Sequence, residues 1–492
     1  MIKQNRHKIN LLIVGAGEAG RLISGNIIKD SDSSLKVVGF IDDDSKKIGK
    51  KINGVPVLGK VEDLKKVVDD NNVKEILIAI PSGRGASIRN IVENSIELGI
   101  VYKILPRKSE VLLQDFDKDY IKYIRRVEPE DLLGGTISKS DQTEVEKYVQ
   151  GKTILVTGAA GSIGSELSRQ LSAYDPKKII FYDWWENGMF ELQNHLVKNY
   201  PKLDAEFIIG DIKDRKKINA VFACFKPDSV FHAAAYKHVP LMEINAVEAI
   251  KNNIFGTKNV AELSIKHGVK KFVMVSTDKA VNPTNIMGAT KRAAEKITHI
   301  FGESQQHTVF CAVRFGNVIN SNGSAIPIFE QQIEAGGPVT VTHPEMTRYF
   351  MTIPEAVHLI LQAWVMGENN DLFVLDMGEP IKIYDLARLL IALRGYIPDE
   401  EIAIKFIGLR PGEKLYEEIL VDDESTSSTR VEKIFKTKNY LDFNKLAFLT
   451  NLSLLDELSE EDELSTKEIK SMLKKMVSTY APREDKYVCE VN

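Results

Sequence analysis

Cysteine is scarce in this sequence. Cys224, Cys311 and Cys489 are its three cysteines in 492 residues, and they lie far apart. Their spacing matches no metal-binding motif, so we expect no metal site. So few thiols are typical of proteins from a reducing compartment, and we therefore expect a cytoplasmic protein.

Long apolar runs and a strong charge of either sign are also missing. No window approaches the roughly 18 apolar residues of a transmembrane helix, so we expect no membrane span in this chain. The apolar run near the start, "INLLIVGAG", is too short for a signal peptide and leads directly into a predicted strand. The net charge of −4 gives no electrostatic reason to expect a nucleic-acid partner. The length predicts two to four domains.

Two segments have the pattern of a strand, a glycine-rich turn and a helix: "INLLIVGAGEAGRLISGNII" and "KTILVTGAAGSIGSELSRQL". Each begins with a run of Val, Ile and Leu, which is typical of a buried parallel strand. After the first segment come further short apolar runs, "KVVGFIDDD", "VPVLG", "EILIAIP" and "VYKILP". We therefore predict an N-terminal Rossmann-like domain over residues 1–106, followed by a linker over 107–150.

The second module is larger. Six predicted strands alternate with helices: "TILVTG", "KIIFYD", "EFIIGD", "SVFHAAA", "KFVMVST" and "FCAVRFGNV". This alternation predicts a doubly wound parallel sheet over about residues 151–325, so the fold class is α/β with two Rossmann-like modules. The pattern then becomes irregular, and we interpret 326–445 as a smaller mixed α/β part that binds substrate. Residues 446–492 form a charged tail, interpreted as a solvated surface helix.

The second glycine motif predicts a dinucleotide site. Gly158, Gly161 and Gly164 lie between a strand and a helix, where the backbone approaches a pyrophosphate closely. Asp183 ends the next strand, where an acid binds the ribose and favours NAD over NADP. Asp211 ends another strand and is a candidate adenine contact. Further predicted cofactor contacts are Ser162, Ile163, Ile212, Ala233 and Ala235.

The first glycine motif is less specific. Gly15, Gly17 and Gly20 have the same spacing, but the acids at Asp42 to Asp44 arrive later than in a clean fingerprint. A nucleotide or nucleotide-sugar ligand is one interpretation. A regulatory or purely structural Rossmann-like domain is the other.

The stretch "VSTDKAVNPTNIMGATK" holds the candidate chemistry. Lys291 has the spacing of the lysine in the Tyr-x-x-x-Lys motif of short-chain dehydrogenases, but Met287 replaces the tyrosine and cannot carry a proton. Asp278 and Lys279, next to Thr277, offer an acid and a base side by side. An enzyme that eliminates water across a carbon–carbon bond needs that pair. The alternative is an ordinary surface pair in a loop.

Six motifs in order resemble one family: "TGAAGSIGSEL", "HAAAYKHVPLME", "VSTDKAVNPTNIMGATKRAAE", "VRFGNVINSNGSAIPIF", "MTRYFMTIPEA" and "GLRPGEKLYEE". Over about residues 125–445 the chain is similar to long-form polysaccharide-biosynthesis UDP-N-acetylglucosamine 4,6-dehydratases, a branch of the extended short-chain dehydrogenases. Its first module resembles the first domain of those proteins. Long members usually begin with transmembrane helices anchored in the inner membrane, which this sequence lacks, and they usually carry Arg at the position of Gly135. Either a naturally soluble form or a shortened chain fits the first departure.

The resemblance implies a mechanism. Tightly held NAD takes hydride from C4 of the sugar, Lys279 abstracts the C5 proton, Asp278 protonates the leaving C6 hydroxyl, and the hydride returns to C6. It also implies that Thr277 orients the C4 hydroxyl, that Lys291 binds the nicotinamide ribose, and that forms with Met at position 287 retain the configuration at C5.

The resemblance further implies a UDP-sugar substrate and a homo-oligomer. The implied substrate contacts are Lys237, His238, Asn317, Arg348, Arg410 and Glu413. For the arginines the alternative is a salt bridge that supports the fold. Two other functions stay open at this point: a UDP-hexose 4-epimerase, and a catalytically silent NAD-binding scaffold.

Overall fold

The computed structural model describes residues 8–80, 85–106, 123–133, 140–419, 425–438, 443–460 and 464–482. Gly134 and Gly135 of the predicted linker lie outside these ranges. Among the helices within them, none has both the length and the apolar character needed to cross a bilayer.

The described residues between 8 and 133 form a seven-stranded sheet with helices. The elements are β1 Ile9–Val14, α1 Glu18–Lys29, β2 Leu35–Ile41, β3 Lys51–Ile52, β4 Val55–Gly59, α2 Leu64–Asp70, β5 Glu75–Ile78, α3 Gly85–Glu93, β6 Val101–Ile104, β7 Arg125–Arg126 and α4 Pro129–Leu133. The order in the sheet is β3-β4-β2-β1-β5-β6-β7, and the five inner strands are parallel. The predicted Rossmann-like module is confirmed.

Residues 140–323 contain the predicted six-strand module. The elements are α5 Ser140–Val149, β8 Thr153–Thr157, α6 Ser162–Ser172, β9 Lys178–Asp183, α7 Glu186–Asn199, β10 Ala205–Ile209, α8 Arg215–Phe225, β11 Ser229–His232, α9 Val239–Ile244, α10 Ala246–Ala249, a π-helical turn Ile250–Gly256, α11 Thr257–Lys266, β12 Lys271–Val275, α12 Ile286–Ser304, β13 Val309–Arg314 and β14 Asn317–Val318. Helix α12 begins where Asn285 Oδ1 accepts a hydrogen bond from Gly288 N, so a side chain caps the first turn.

The remaining described residues form short strands and five helices. They are α13 Ala325–Glu334, β15 Val339–Val341, β16 Thr347–Arg348, β17 Phe350–Met351, α14 Ile353–Met366, β18 Asp371–Leu375, β19 Ile381–Lys382, α15 Ile383–Leu393, β20 Ile404–Phe406, β21 Ser425–Ser428, β22 Ile434–Lys438, α16 Lys445–Glu460 and α17 Thr466–Met476.

The second sheet is larger than the sequence predicts. Its order is β10-β9-β8-β11-β12-β13-β18-β22-β21, so the six predicted strands are confirmed and three more extend the sheet. β18 pairs in parallel with β13, whereas β22 and β21 are antiparallel. The strand β18 is a fully buried apolar run, but its partner β13 lies far away in sequence, so its place in the sheet cannot be seen locally.

Contacts divide the chain into two compact units. Unit 1 consists of Met1–Thr136, Ser324–Glu345 and Ile381–Ile407, and unit 2 consists of Ile137–Gly323, Met346–Pro380 and Gly408–Asn492. Each unit therefore joins segments that are distant in sequence. The domain limits predicted at residues 106, 150, 325 and 445 stay predictions.

Helix α17 corrects the interpretation of the tail as a solvated surface helix. One face of this helix is apolar and is buried in unit 2; it consists of Ile469, Met472, Leu473 and Met476. The charged residues lie between them in the sequence. Lys470 Nζ also pairs with the buried Glu243 at 2.9 Å, and Glu243 accepts a hydrogen bond from Ile286 N at the start of α12. The described part of the tail is mainly helical, as predicted, but α17 packs against the helix that carries Met287 and Lys291.

Candidate active site

The second glycine loop (residues 158–164) joins β8 to α6 and leaves one face of the backbone open. Gly158 has a φ of +70°, and a Cβ on it would lie 2.5 Å from Ala234 N, so only glycine fits. A Cβ on Gly164 would lie 1.8 Å from the Gly158 carbonyl oxygen, because α6 packs directly against the turn. A Cβ on Gly161 would meet one atom of the described residues within 4 Å, that same oxygen at 3.3 Å. The middle glycine thus leaves room for a diphosphate at the N-terminus of α6.

Asp183 ends β9 beside this loop. Its Oδ2 accepts a hydrogen bond from Ala160 N at 2.9 Å, and its Oδ1 accepts one from Trp185 N at 2.9 Å. Burial raises the pKa of Asp183, although these backbone N–H groups act in the opposite direction. Among the described residues no lysine or arginine pairs with it, so no cation competes with ribose hydroxyls for its carboxylate oxygens.

The other predicted cofactor residues are in the first turn of α6 or follow β10 and β11: Ser162, Ile163, Asp211, Ile212, Ala233 and Ala235. The end of β10 is fixed by Tyr182, whose hydroxyl donates to Asp211 O at 2.8 Å. Because β10, β9, β8 and β11 are successive strands, this whole group meets at one edge of the sheet. This edge has the glycine turn, the acid and the uncapped helix N-terminus that suit a dinucleotide.

Thr277, Asp278 and Lys279, the triplet, follow β12, and a 3-10 turn covers Asp278–Ala280. The Thr277 hydroxyl donates to Asp278 Oδ1 at 2.9 Å. The Lys279 ammonium donates to Asp278 Oδ1 and to Asn317 Oδ1, each at 3.0 Å. The predicted acid and base therefore lie side by side at the carboxyl end of a central strand.

The buried environment of Asp278 disfavours its ionised form. Its side chain is 1% exposed, and its Oδ2 is buried and takes no hydrogen bond from the described part of the chain. Burial raises the pKa of Asp278 and outweighs the opposing charge of Lys279. A buried oxygen without a partner is unusual in folded proteins, and here it leaves the carboxyl free to donate a proton to a ligand.

The sequence reasoning missed Glu417. This residue is buried, and its Oε1 lies 3.4 Å from Lys279 Nζ and 3.4 Å from Arg348 Nε. Burial acts to raise the pKa of Glu417, but the charges of Lys279, Arg348 and Lys414 together lower it. The glutamate belongs to the motif "GLRPGEKLYEE", yet no local spacing connects it with the triplet.

Lys279 is held as an ammonium ion. Burial acts to lower its pKa, but the charges of Asp278 and Glu417 outweigh burial and raise it. A lysine that serves as a base must first lose this proton.

Lys291 and Met287 lie on the same helix, α12, but have different surroundings. Lys291 Nζ donates to Val275 O at 2.9 Å, and burial lowers its pKa to about 8. Met287 is buried in an apolar cluster with residues of α9, α10 and α17. The methionine therefore contributes packing at the position where a tyrosine would carry a proton.

The predicted substrate contacts have contrasting surroundings. Lys237 and His238 are exposed after β11, and Arg410 is exposed as well. Arg348 is buried, and it donates to the carbonyl oxygens of Thr347, Lys414 and Leu415.

Arg348 thus supports the loop over residues 413–417, which is the alternative that the sequence left open. It also lies 3.5 Å from the carboxylate of Glu413, and that carboxylate accepts a hydrogen bond from Arg410 N. The predicted contacts of Arg348, Arg410 and Glu413 with a diphosphate stay predictions, and Asn317 contacts Lys279 instead.

The first glycine loop (residues 15–20) repeats the same backbone device in unit 1. Gly15 has a φ of +106°, a Cβ on Gly20 would lie 2.0 Å from Gly15 O, and no atom of the described residues lies within 4 Å of a Cβ on Gly17. Asp42 Oδ2 accepts from Ala16 N at 2.8 Å, although the sequence spacing of this acid is irregular.

The pairing of Asp42 differs from that of Asp183. Lys47 Nζ lies 2.9 Å from Asp42 Oδ2. Burial acts to raise the pKa of Asp42, but the bonds from Lys47 and from backbone N–H groups lower it. The acid at the first loop is therefore already neutralised by the protein.

Two family profiles match the sequence. Residues 154–439 match a family described as a polysaccharide biosynthesis protein, and residues 2–102 match one described as a CoA-binding domain. The first match covers more than half of the chain.

Three relatives have names that describe a biosynthetic pathway or an enzyme activity. The capsular polysaccharide biosynthesis protein CapD of Staphylococcus aureus is 47% identical over 429 residues, which are 87% of this chain and 71% of that protein. A UDP-N-acetylglucosamine 4,6-dehydratase (inverting) of Campylobacter jejuni is 37% identical over 290 residues, 58% of this chain and 82% of that protein. A UDP-glucose 4-epimerase of Rickettsia canadensis is 35% identical over 335 residues, 65% of this chain and 95% of that protein.

Proposed function

The chain belongs to the polysaccharide biosynthesis protein family, and we propose that it is an NAD-dependent UDP-N-acetylglucosamine 4,6-dehydratase that retains the configuration at C5. The observation that carries this proposal is the pair at the end of β12. Asp278 is buried, and its Oδ2 has no hydrogen-bond partner among the described residues, while its Oδ1 lies 3.0 Å from the ammonium of Lys279. Water elimination from C5 and C6 needs such an acid and such a base next to each other.

The residues at the sheet edge suit NAD. Gly158, Gly161 and Gly164 would hold the diphosphate, Asp183 the adenosine ribose and Lys291 the nicotinamide ribose. When bound, NAD supplies the reversible oxidation at C4 that acidifies the proton on C5. In the buried site, the chain's own groups then handle the protons.

Each group of the triplet has a proposed role. Asp278 gives its proton to the C6 hydroxyl, which leaves as water. Lys279 takes the proton from C5. Thr277, whose hydroxyl is bonded to Asp278, orients the C4 hydroxyl, and the proton of that hydroxyl passes to Asp278 or to water when C4 is oxidised. Met287, which is buried in an apolar cluster, has no proton to transfer.

A UDP-hexose 4-epimerase is the second candidate, because an epimerase is among the relatives. An epimerase exchanges hydrogen at C4 and has no use for an acid directed at C6. The buried Asp278, whose pKa is raised, lies beside Lys279 and therefore favours the dehydratase. A silent NAD-binding scaffold would not need the buried ion-pair network around the triplet.

The proposal is tested by proton NMR of UDP-N-acetylglucosamine incubated with the purified protein in deuterium oxide, without added reductant. We expect a new C6 methyl signal, solvent deuterium at C5, and ring couplings that report retention at C5. Unchanged substrate would contradict the proposal, and conversion to the galacto isomer would identify an epimerase.

A further inference from the structure

Glu243 is a buried acid on α9 for which the proposed reaction has no role so far. Its side chain is 2% exposed, and both of its carboxylate oxygens have partners. Oε1 accepts a hydrogen bond from Ile286 N at 2.6 Å, and Oε2 lies 2.9 Å from Lys470 Nζ. One carboxylate therefore joins three helices that are distant in sequence: α9, α12 and α17.

The bond to Ile286 lies at the N-terminus of α12. Asn285 caps this helix by accepting a hydrogen bond from Gly288 N, but the N–H of the first helical residue, Ile286, needs a partner from outside the helix. Glu243 supplies that partner, and its negative charge also suits the positive end of the helix dipole. The glutamate thus fixes the point at which α12 begins, one residue before Met287.

The same part of the chain supports the turn at Gly412. Asn285 Nδ2 donates to Gly412 O at 3.1 Å. Gly412 has a φ of +70°, and a Cβ on it would lie 2.8 Å from Asn285 Cβ and 3.5 Å from Glu243 Cγ. The turn therefore lies against both side chains. It holds two predicted substrate contacts, Arg410 and Glu413.

Helix α17 is also attached to α12 near its other end. Lys296 Nζ, in α12, donates to Met476 O in the last turn of α17 at 2.8 Å. The buried apolar face of α17 lies between this bond and the pair of Lys470 with Glu243. These contacts hold α17 along α12 and keep Lys470 within reach of the glutamate.

We propose that Glu243 is a positioning residue which, paired with Lys470, sets the position of the Gly412 turn and thereby the affinity for the nucleotide sugar. This role rests on the proposed function, which assigns the turn to substrate binding. The NAD loop and the triplet belong to other parts of the chain, which follow β8 and β12. Loss of the pair should therefore change substrate affinity more than NAD binding or the chemical step.

The test is Lys470→Met, because methionine keeps an unbranched apolar stem and removes the charge beside Glu243. We expect KM for UDP-N-acetylglucosamine to rise about 10-fold and kcat to stay within about twofold, as for a change that acts through intervening contacts. NAD content should be unchanged. Lys470→Arg should restore KM, since it keeps the charge. The matched control is Lys467→Met, at an exposed position of the same helix, which should behave as the parent does.

A KM of Lys470→Met equal to that of the parent would overturn the proposal. A lower melting temperature with an unchanged KM would do the same, because the pair would then stabilise the fold without positioning the turn. Failure of Lys470→Arg to restore KM would show that the charge next to Glu243 is not what matters.

A second readout needs no substrate. Hydrogen exchange of the backbone amides at residues 408–418, followed by mass spectrometry, should be about 10-fold faster in Lys470→Met and unchanged in Lys467→Met, because the turn then opens more often. Equal exchange in the two variants would contradict the role. If the parent does not turn over UDP-N-acetylglucosamine, the proposed function fails by itself, and the exchange rates still decide whether Lys470 acts on the Gly412 turn.

Discussion

The two glycine loops have the same backbone geometry but different neighbours. In each loop the first glycine has a positive φ, the third lies against the first, and the middle one faces open space. In unit 2 the strand β12 is followed by Ser276 and the triplet. β6, which has the corresponding place in the first sheet, is followed by Leu105 and Pro106.

The acids at the two loops differ as well. Asp183 has no cation partner among the described residues, whereas Asp42 is paired with Lys47 at 2.9 Å. A glycine loop therefore predicts a turn that suits a nucleotide, but the groups at neighbouring strand ends decide whether chemistry occurs there. We therefore expect unit 2 alone to bind NAD and to carry out the proposed reaction.

The largest expected difference in activity concerns the two lysine–aspartate pairs, Lys279–Asp278 in unit 2 and Lys47–Asp42 in unit 1. Lys279→Ala should lower dehydration by about 10²–10⁴-fold, because the C5 proton loses its base, while NAD stays bound. Lys47→Ala removes the pair at Asp42 and should leave turnover unchanged. Both are measured by the rate of 4-keto sugar formation. Activity of Lys279→Ala near the parent's would remove this lysine from the mechanism.

A smaller difference, in the affinity for NAD, is expected for changes of Asp183 and Asp42. Asp183→Asn should weaken NAD binding about 10- to 100-fold, since a charge-assisted hydrogen bond contributes roughly 1.5–3 kcal/mol. Asp42→Asn is the matched change in unit 1 and should not alter the dissociation constant for NAD. Isothermal titration of protein stripped of cofactor gives both constants. Equal weakening by the two changes would show that the loops are coupled.

The smallest effect concerns Lys291. Its pKa of about 8 lies below that of an ordinary lysine, so the ammonium loses its proton as the pH rises through that value. If the charge holds the nicotinamide ribose, turnover should fall about threefold between half a unit below and half a unit above this pKa. A profile of initial rates against pH measures this limb. Lys291→Ala should bind NAD less tightly and lack the limb, and normal cofactor content in that variant would count against the role.

The sequence predicts those parts of the molecule that depend on local patterns. The strands around both glycine loops are apolar runs bounded by glycine, and Asp183 has the expected spacing, so the loop and its acid could be located in advance. The place of the triplet after β12 follows from the same strand pattern.

Other parts depend on contacts between distant residues. Glu417 reaches Lys279 only because the chain returns to the site after a long detour, and no spacing rule shows this. In α17 the apolar residues Ile469, Met472, Leu473 and Met476 do have helical spacing, but the many charges between them hid that face. The place of β18 in the sheet also depends on a distant residue pairing, because its partner strand β13 lies far away in sequence.

The most direct test counts the NAD molecules that are released when the purified protein is denatured. The parent is compared with Gly161→Val and Gly17→Val. Among the described residues no atom lies closer than 3.3 Å to either added Cβ, so both variants should fold, while a valine at either position fills the space in front of its helix. We predict one NAD per chain in the parent and in Gly17→Val, and none in Gly161→Val. Loss of NAD from Gly17→Val, or its retention in Gly161→Val, would contradict the claim that unit 2 alone binds the cofactor.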